Sequence, residues 1–204
     1  MAIYLDTETT GLSPRQGATI VELAIVDARG NPLIDTLINP KSPIPWQATK
    51  VHGITDNMVR GKPTLKDLMP EIRSIIQGEQ VVIYNSTFDA PFFPGELSEA
   101  MSIECAMRRF SQVTGSRSWK KLDYAASHVG HRWTGVAHRA LADALACRSV
   151  WDWITKKDSK STRTENNTLV IKRCTSCAKQ LRMPSGKLLD VTCPSCRHRF
   201  RVRT

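Results

Sequence analysis

Ala2-Ile3-Tyr4-Leu5-Asp6-Thr7-Glu8-Thr9-Thr10-Gly11-Leu12 carries an apolar run straight into two acids one residue apart, and then into a glycine. Along an extended chain, residues i and i+2 point to the same side. Ala2 to Leu5 therefore reads as a strand, beyond whose end Asp6 and Glu8 are presented together. Carboxylates this close repel unless a cation lies between them. Gly11 lets the chain turn away. Further along, Thr19 to Val26 and Leu33 to Ile38 read as two more strands, with Gly30-Asn31-Pro32 as their turn. Asp56 to Gln77 predicts helical pieces broken at Gly61 and Pro63. Gln80 to Tyr84 is a short β-rich run, and turns then alternate with helices to Ile154. Strands first and helices interleaved later predict an α/β domain, a mixed sheet with helices on its faces.

The 204 residues carry a net charge of +10, and that charge is not spread evenly. Residues 1–154 hold sixteen basic and sixteen acidic side chains; residues 155–204 hold thirteen basic against three acidic. A basic block of this kind predicts an anionic partner, nucleic acid being the commonest, or else a solubilising tail. No apolar run approaches the length needed to span a bilayer, and the start has neither a basic region nor a signal-type apolar core. The expectation is therefore a cytoplasmic protein with no membrane partner. Residues 155–168, TKKDSKSTRTENNT, contain no hydrophobic residue and predict a flexible linker between a domain at 1–154 and a small module at 169–204. No internal repeat stands out.

Two further clusters lie in the first domain. Asn85-Ser86-Thr87-Phe88-Asp89 follows directly on Val81-Val82-Ile83-Tyr84, where a polar residue between strand and helix is either functional or a helix cap. His138-Arg139-Ala140-Leu141-Ala142-Asp143 opens an apolar-periodic stretch. Five residues of helix turn a side chain too far round for His138 and Asp143 to meet. They can meet if His138 lies in the loop after Gly135 and Asp143 in the first turns. The predicted buried stripe is then Ala142, Leu145, Ala146, Ser149, Val150 and Trp153, with Asp143 at its edge. A semi-buried acid without a basic neighbour wants a metal or a proton.

Together, LDTETTGL (Leu5–Leu12), NSTFD (Asn85–Asp89) and HRALAD (His138–Asp143) resemble the three motifs of the DnaQ-like 3′–5′ exonucleases of the DEDDh type. Val51-His52-Gly53-Ile54-Thr55 resembles a further segment of that family, and the likeness spans about residues 1–154, nearest in look to small stand-alone enzymes and proofreading subunits. The resemblance implies a ribonuclease H-like mixed sheet. It also implies a two-metal hydrolysis with Mg²⁺ or Mn²⁺ held by Asp6, Glu8, Asp89 and Asp143, and His138 as general base. Thr9, Leu12, His52 and Asn85 would meet the substrate, Leu12 packing on the terminal base. His52 is equally read as a capping or core residue. DNA is preferred over RNA on resemblance alone, and a polymerase or repair protein is the implied partner. The rival readings are an exoribonuclease that trims RNA 3′ ends and a non-catalytic nucleic-acid or protein adaptor acting through the small module. Aromatic stacking positions have no clear equivalent: Trp119 and Trp133 are the candidates, although a lone Trp is usually core.

Cys174-x-x-Cys177 and Cys193-x-x-Cys196, fifteen residues apart, have the spacing of a four-cysteine structural zinc site. A short hairpin between the two pairs is expected to bring them together. Ribbons of this kind often carry Gly after the second cysteine; here Ala178 and Arg197 stand there. Arg197, Arg199, Arg201 and Arg203 alternate with other residues, so on a strand four guanidinium groups would line one side and suit a phosphate backbone. Protein docking is the alternative use. Cys105 and Cys147 read as buried, reduced thiols.

Overall fold

The computed structural model describes residues 1–93, 95–133, 138–165 and 169–204. Its first strand, β1 (Ala2–Thr9), runs on through the acids instead of ending before them. It pairs antiparallel with β2 (Ile20–Val26), which pairs antiparallel with β3 (Pro32–Leu37). The turn between β2 and β3 is closed by Asp27, whose carboxylate accepts from the Arg29 and Asn31 amides at 2.8 Å each. Two short helices follow, α1 (Trp46–His52) and α2 (Asp56–Val59). Helix α3 (Leu65–Ile76) starts on a reciprocal cap between Thr64 and Asp67. Then come β4 (Gln80–Ile83), α4 (Ser86–Asp89), β5 (Ser102–Cys105), α5 (Ala106–Thr114), α6 (Leu122–His128) and α7 (Ala140–Glu165). The five strands lie in the order β3-β2-β1-β4-β5, with β4 parallel to both β1 and β5.

The mixed sheet is covered on both faces because its central strands carry apolar side chains to both sides, Ile3-Tyr4-Leu5 in β1 and Val81-Val82-Ile83 in β4. Tyr4, Val82 and Tyr84 face Phe110, Ala125, Cys147, Val150 and Ile154 of α5 to α7. Ile3, Leu5, Val81 and Ile83 face Ile72, Ile76 and Phe92 on the other side. The alternation of β1 thus aims Asp6 and Glu8 to the α7 side and Thr7 to the α3 side. The stripe on α7 is broader than its periodicity predicts. Ala142, Ala146 and Val150 are buried as expected, but so are Ala140, Ala144, Cys147, Trp151 and Ile154, while Leu145, Ser149 and Trp153 are half-buried. Small Ala and Cys side chains bring this helix close to the sheet.

Residues 155–165, which composition reads as linker, continue α7 as helix; 166–168 lie outside the described residues. The stretch has no Gly or Pro, and extending an existing helix costs far less than nucleating one. The chain divides into two compact units, Met1–Ile154 and Thr155–Thr204.

The second unit holds two antiparallel hairpins, β6 (Leu169–Arg173) with β7 (Gln180–Pro184), and β8 (Leu188–Thr192) with β9 (Arg199–Arg203). Each Cys-x-x-Cys is the tip of its own hairpin, not one end of a hairpin lying between the pairs. A shift of nineteen residues superposes the two in sequence. Leu169 pairs with Pro184 and Arg173 with Gln180 in the first; Leu188 pairs with Arg203 and Thr192 with Arg199 in the second. The Cys174 amide donates to Lys179 O and the Cys193 amide to His198 O, both at 2.9 Å. Ala178 and Arg197 are both left-handed, at φ 57° and 60°. The module is therefore an internal repeat, and the knuckle geometry forms without glycine.

Candidate active site and cysteine centre

Asp6 and Glu8 project from β1, and Asp143 from the first turn of α7. One carboxylate oxygen from each lies within 4.8 Å of the others. Asp89 reaches the same region from the end of α4 and is buried. Thr7 holds it there, its Oγ1 donating to Asp89 Oδ1 at 2.7 Å. Burial comes first in raising all four acids, and mutual repulsion adds to it. Glu8 is pushed up to about 8, Asp89 to about 7 and Asp143 to about 6, and Asp6 well above the usual carboxylate range. In Asp89 the Thr7 hydrogen bonds work against burial, and in Asp143 the neighbouring His138 does so. Asp143 Oδ1 is buried with no hydrogen-bond partner among the described residues. Hard oxygens crowded at this spacing, one of them without a partner, fit divalent cations such as Mg²⁺ or Mn²⁺.

His138 lies outside the helix in an exposed loop, with its backbone at φ 62°. Gly135 falls outside the described residues. The residue after His138 anchors the loop, through a partner absent from the sequence reading. Glu22, 2 % exposed in the middle of β2, accepts from Arg139 Nε at 2.9 Å and again from Arg139 Nη2. It also accepts the Ala140 amide at 3.0 Å. One carboxylate thus satisfies a free amide at the start of α7 and neutralises the guanidinium beside His138. The signal was a single acid within Ile20-Val21-Glu22-Leu23-Ala24-Ile25-Val26, since a charge buried among apolar neighbours needs a partner. Thr7 was missed because it points away from Asp6 and Glu8.

The predicted substrate residues lie around this cluster. Leu12 is 83 % exposed, an apolar side chain held in water. It lines a groove of about 440 Å³ with Ser13, Arg15, Asn85, Thr87 and Phe88. Asn85 does not cap α4; its Oδ1 accepts from Thr87 Oγ1 at 2.7 Å. Thr9 is buried, its hydroxyl donating to Gly11 O at 2.7 Å. Gly11 lies close to its neighbour across the turn: a Cβ there would meet that of Ala18 at 3.3 Å, a tight contact. His52 is buried and its Nδ1 accepts from the Ile54 amide at 3.0 Å, which puts the proton on Nε2. That Nε2 has no hydrogen-bond partner among the described residues.

Four acids and a histidine at the end of a ribonuclease H-like sheet define a DEDDh nuclease, and the exonuclease family model matches residues 3–150. The chain belongs to this DnaQ-like family of 3′–5′ exonucleases. It is 35 % identical over 173 residues to "Uncharacterized exonuclease CP81" of Escherichia phage 186, covering 76 % of this chain and 88 % of that protein. It is 37 % identical over 100 residues to the DNA polymerase III subunit epsilon of Rickettsia prowazekii (strain Madrid E), covering 47 % of this chain and 44 % of that subunit. The chain thus spans less than half the length of that polymerase subunit. Among solved structures it is similar to exonuclease X in complex with 5′ overhanging duplex DNA, with a TM-score of 0.64 and 27 % identity over 78 % of this chain and 93 % of that one.

In the second unit, Cys174 Sγ lies 3.7 Å from Cys196 Sγ, and Cys177 Sγ 3.6 Å from Cys193 Sγ. A tetrahedron with zinc–sulfur bonds of about 2.3 Å has edges of about 3.8 Å, whereas a disulfide is about 2.05 Å long. The spacing fits one shared metal. The Cys196 amide, with that of Ser195, brings the Cys193 thiol down, while the crowded neighbouring sulfurs push Cys177 up, so protons are shared within the cluster. The expected arginine row is only partly there. Arg199, Arg201 and Arg203 share the exposed face of β9, but Arg197 sits in the knuckle. Arg201 is engaged by Asp190 in two hydrogen bonds of 2.8 Å, because that acid stands directly across the hairpin. Cys147 is buried as expected and Cys105 half-buried.

Proposed function

We propose that this chain removes nucleotides one at a time from the 3′ end of single-stranded or frayed DNA, releasing nucleoside 5′-monophosphates. The observation that carries the reading is the convergence of Asp6, Glu8 and Asp143 within 4.8 Å, with Asp89 fixed beside them by Thr7. Asp6, Glu8, Asp89 and Asp143 are the side chains that would hold two divalent cations. When bound, such a pair stabilises charge on both the attacking and the leaving oxygen of a phosphodiester. His138 takes the proton from the attacking water, and its exposed loop lets the ring approach the terminal phosphate. Leu12 and Asn85 border the groove that receives the last nucleotide, while the buried His52 and Thr9 hold the surrounding backbone in shape. The basic second unit, built on one structural zinc, grips the phosphate backbone through Arg199 and Arg203, with little sequence preference. A repair protein or polymerase is the partner in keeping with the relatives, and the cytoplasm the compartment in keeping with reduced thiols.

The test is a time course on matched 5′-labelled DNA and RNA strands with Mg²⁺, beside the Asp143→Ala variant. The expected result is a one-nucleotide ladder from the 3′ end, faster on DNA and absent in the variant. A ladder that survives in Asp143→Ala would overturn the assignment of the acids, and a faster RNA ladder would reverse the substrate.

A further inference from the structure

On the α3 side of the sheet opens a groove of about 470 Å³ that none of the four acids lines. Buried Ile20, Ile38 and Phe92 line it, together with half-buried Leu65 and Met69 of α3. Two exposed cations, Lys41 and Lys66, belong to the lining, and no acid does. Among the described residues neither lysine is in an ion pair. Asp67, next to Lys66, is bound into the start of α3, its Oδ2 accepting from the Thr64 amide at 2.8 Å and the Thr64 hydroxyl at 2.7 Å. Thr19, also in the lining, has an Oγ1 that is buried without a hydrogen-bond partner among the described residues.

The groove is framed by rigid backbone. Pro14, Pro40 and Pro91 lie along it, and proline fixes φ. The Lys41 amide donates to Asn39 Oδ1 at 2.9 Å, and the Asn39 amide to Pro63 O at 2.8 Å. A preformed groove within the range of ligand sites, about 300–1,000 Å³, releases water from its apolar lining when an apolar group fills it. The two lysines decide what else the occupant carries. Carboxylates beside an apolar core complement them, whereas a phosphate backbone would bring charge at every step to walls that are mostly apolar.

We propose that this groove docks a short acidic segment of a partner protein, with apolar side chains against Ile20, Ile38 and Phe92 and carboxylates on Lys41 and Lys66. Pro14 and Pro91 also line the groove of Leu12, Asn85 and Phe88. A partner is thus held beside the groove for the terminal nucleotide without filling it. The proposal concerns the partner and stands whether or not the acid cluster hydrolyses DNA.

The experiment uses the full chain as bait for a displayed library of random twelve-residue peptides, with a variant carrying both Lys41→Glu and Lys66→Glu as a second bait. Both lysines are exposed, so the two baits are expected to melt together. The unaltered chain should enrich peptides in which Leu- or Phe-type residues stand beside Asp or Glu, and the double variant should not. The enriched peptide, synthesised with a fluorescent label, should bind the double variant about ten-fold more weakly by anisotropy, the size of two lost ion pairs at a surface. Met69→Ala should also weaken it, with no charge altered, while Lys50→Glu, an exposed lysine outside the groove, should leave it unchanged. A selection that yields no motif distinguishing the two baits, or a basic motif, would overturn the proposal. So would an oligo-dT 15-mer that loses its binding in the double variant, which would give the groove to nucleic acid, or a dimer that the double variant dissolves, which would give it to a second copy. A chain that binds the peptide yet gives no ladder would fail the exonuclease reading alone.

Discussion

Replacing Arg139 by alanine would leave the Glu22 carboxylate, whose side chain is 3 % exposed, with only the Ala140 amide at 3.0 Å to compensate its charge. Breaking a buried pair from the side that leaves its charge behind costs about 3–5 kcal/mol. Replacing Glu22 by glutamine is milder. Arg139, 40 % exposed, can turn to water, and the amide oxygen can still accept from Ala140, so the loss is about 1–2 kcal/mol. In a unit of this size 1 kcal/mol moves the melting temperature by about 2–4 °C. Arg139→Ala should therefore melt on the order of 10 °C lower, and Glu22→Gln about half of that or less. The sign of the coupling is the sharper result: adding Glu22→Gln to Arg139→Ala should raise the melting temperature, because it removes the stranded charge. Thermal unfolding of the four proteins, followed by circular dichroism at neutral pH, completes the double-mutant cycle. If Arg139→Ala proves no worse than Glu22→Gln, or the double variant melts below both, the pair does not anchor the start of α7 as described.

The crowded acids make stability depend on pH in a definite direction. Glu8, raised to about 8, keeps its proton in the folded state between roughly pH 4.5 and 8 while the unfolded chain has lost it. Metal-free protein should therefore lose stability as pH rises through that window, Mg²⁺ should restore more at pH 8 than at pH 6, and Glu8→Gln should flatten the curve; equal Mg²⁺ stabilisation at both pH values would contradict the metal site. Thr7→Val removes the donor to buried Asp89, with an expected cost of about 1–3 kcal/mol and a fall in kcat larger than any change in KM, read by steady-state kinetics. Elemental analysis should find one zinc per chain, lost in Cys193→Ser. Relieving the left-handed strain at Ala178 and Arg197 with glycine should raise the chelator concentration needed to strip it, the strain being about 1 kcal/mol at each position. Arg199→Ala with Arg203→Ala should flatten the salt dependence of DNA binding by about 0.9 per lost phosphate contact.

The sheet was legible because its strands announce themselves by apolar runs, and Asp6, Glu8, Asp89 and Asp143 because each follows closely on such a run or stands in the first turn of a helix. What supports those acids was harder to read. Glu22 and Arg139 are 117 residues apart, and pairing over such a distance depends on the strand order, which periodicity does not reveal. Trp119 reads as core by residue type; only the hydrogen bonds of Ser116, Ser118 and Lys120 show that its loop holds it outward. Residues 155–165 read as linker from composition, yet a helix already under way at Ala140 carries polar residues along with it. The repeat was hidden because few positions beyond the cysteines are identical, whereas the hairpin register repeats at every paired position.

That repeat has a consequence for how the small unit holds together. Each copy contributes two thiolates, so each is half of a coordination sphere, and the module is in effect a dimer carried on one polypeptide. If one metal is shared by all four sulfurs, a peptide of one copy would complete the ligand set only by pairing with a second. Joining the halves in one chain also freed them to diverge. The outer strand of the first copy reads Gln180-Leu181-Arg182-Met183-Pro184 and that of the second Arg199-Phe200-Arg201-Val202-Arg203. A symmetric frame thus carries an asymmetric charge, three arginines on β9 against one on β7.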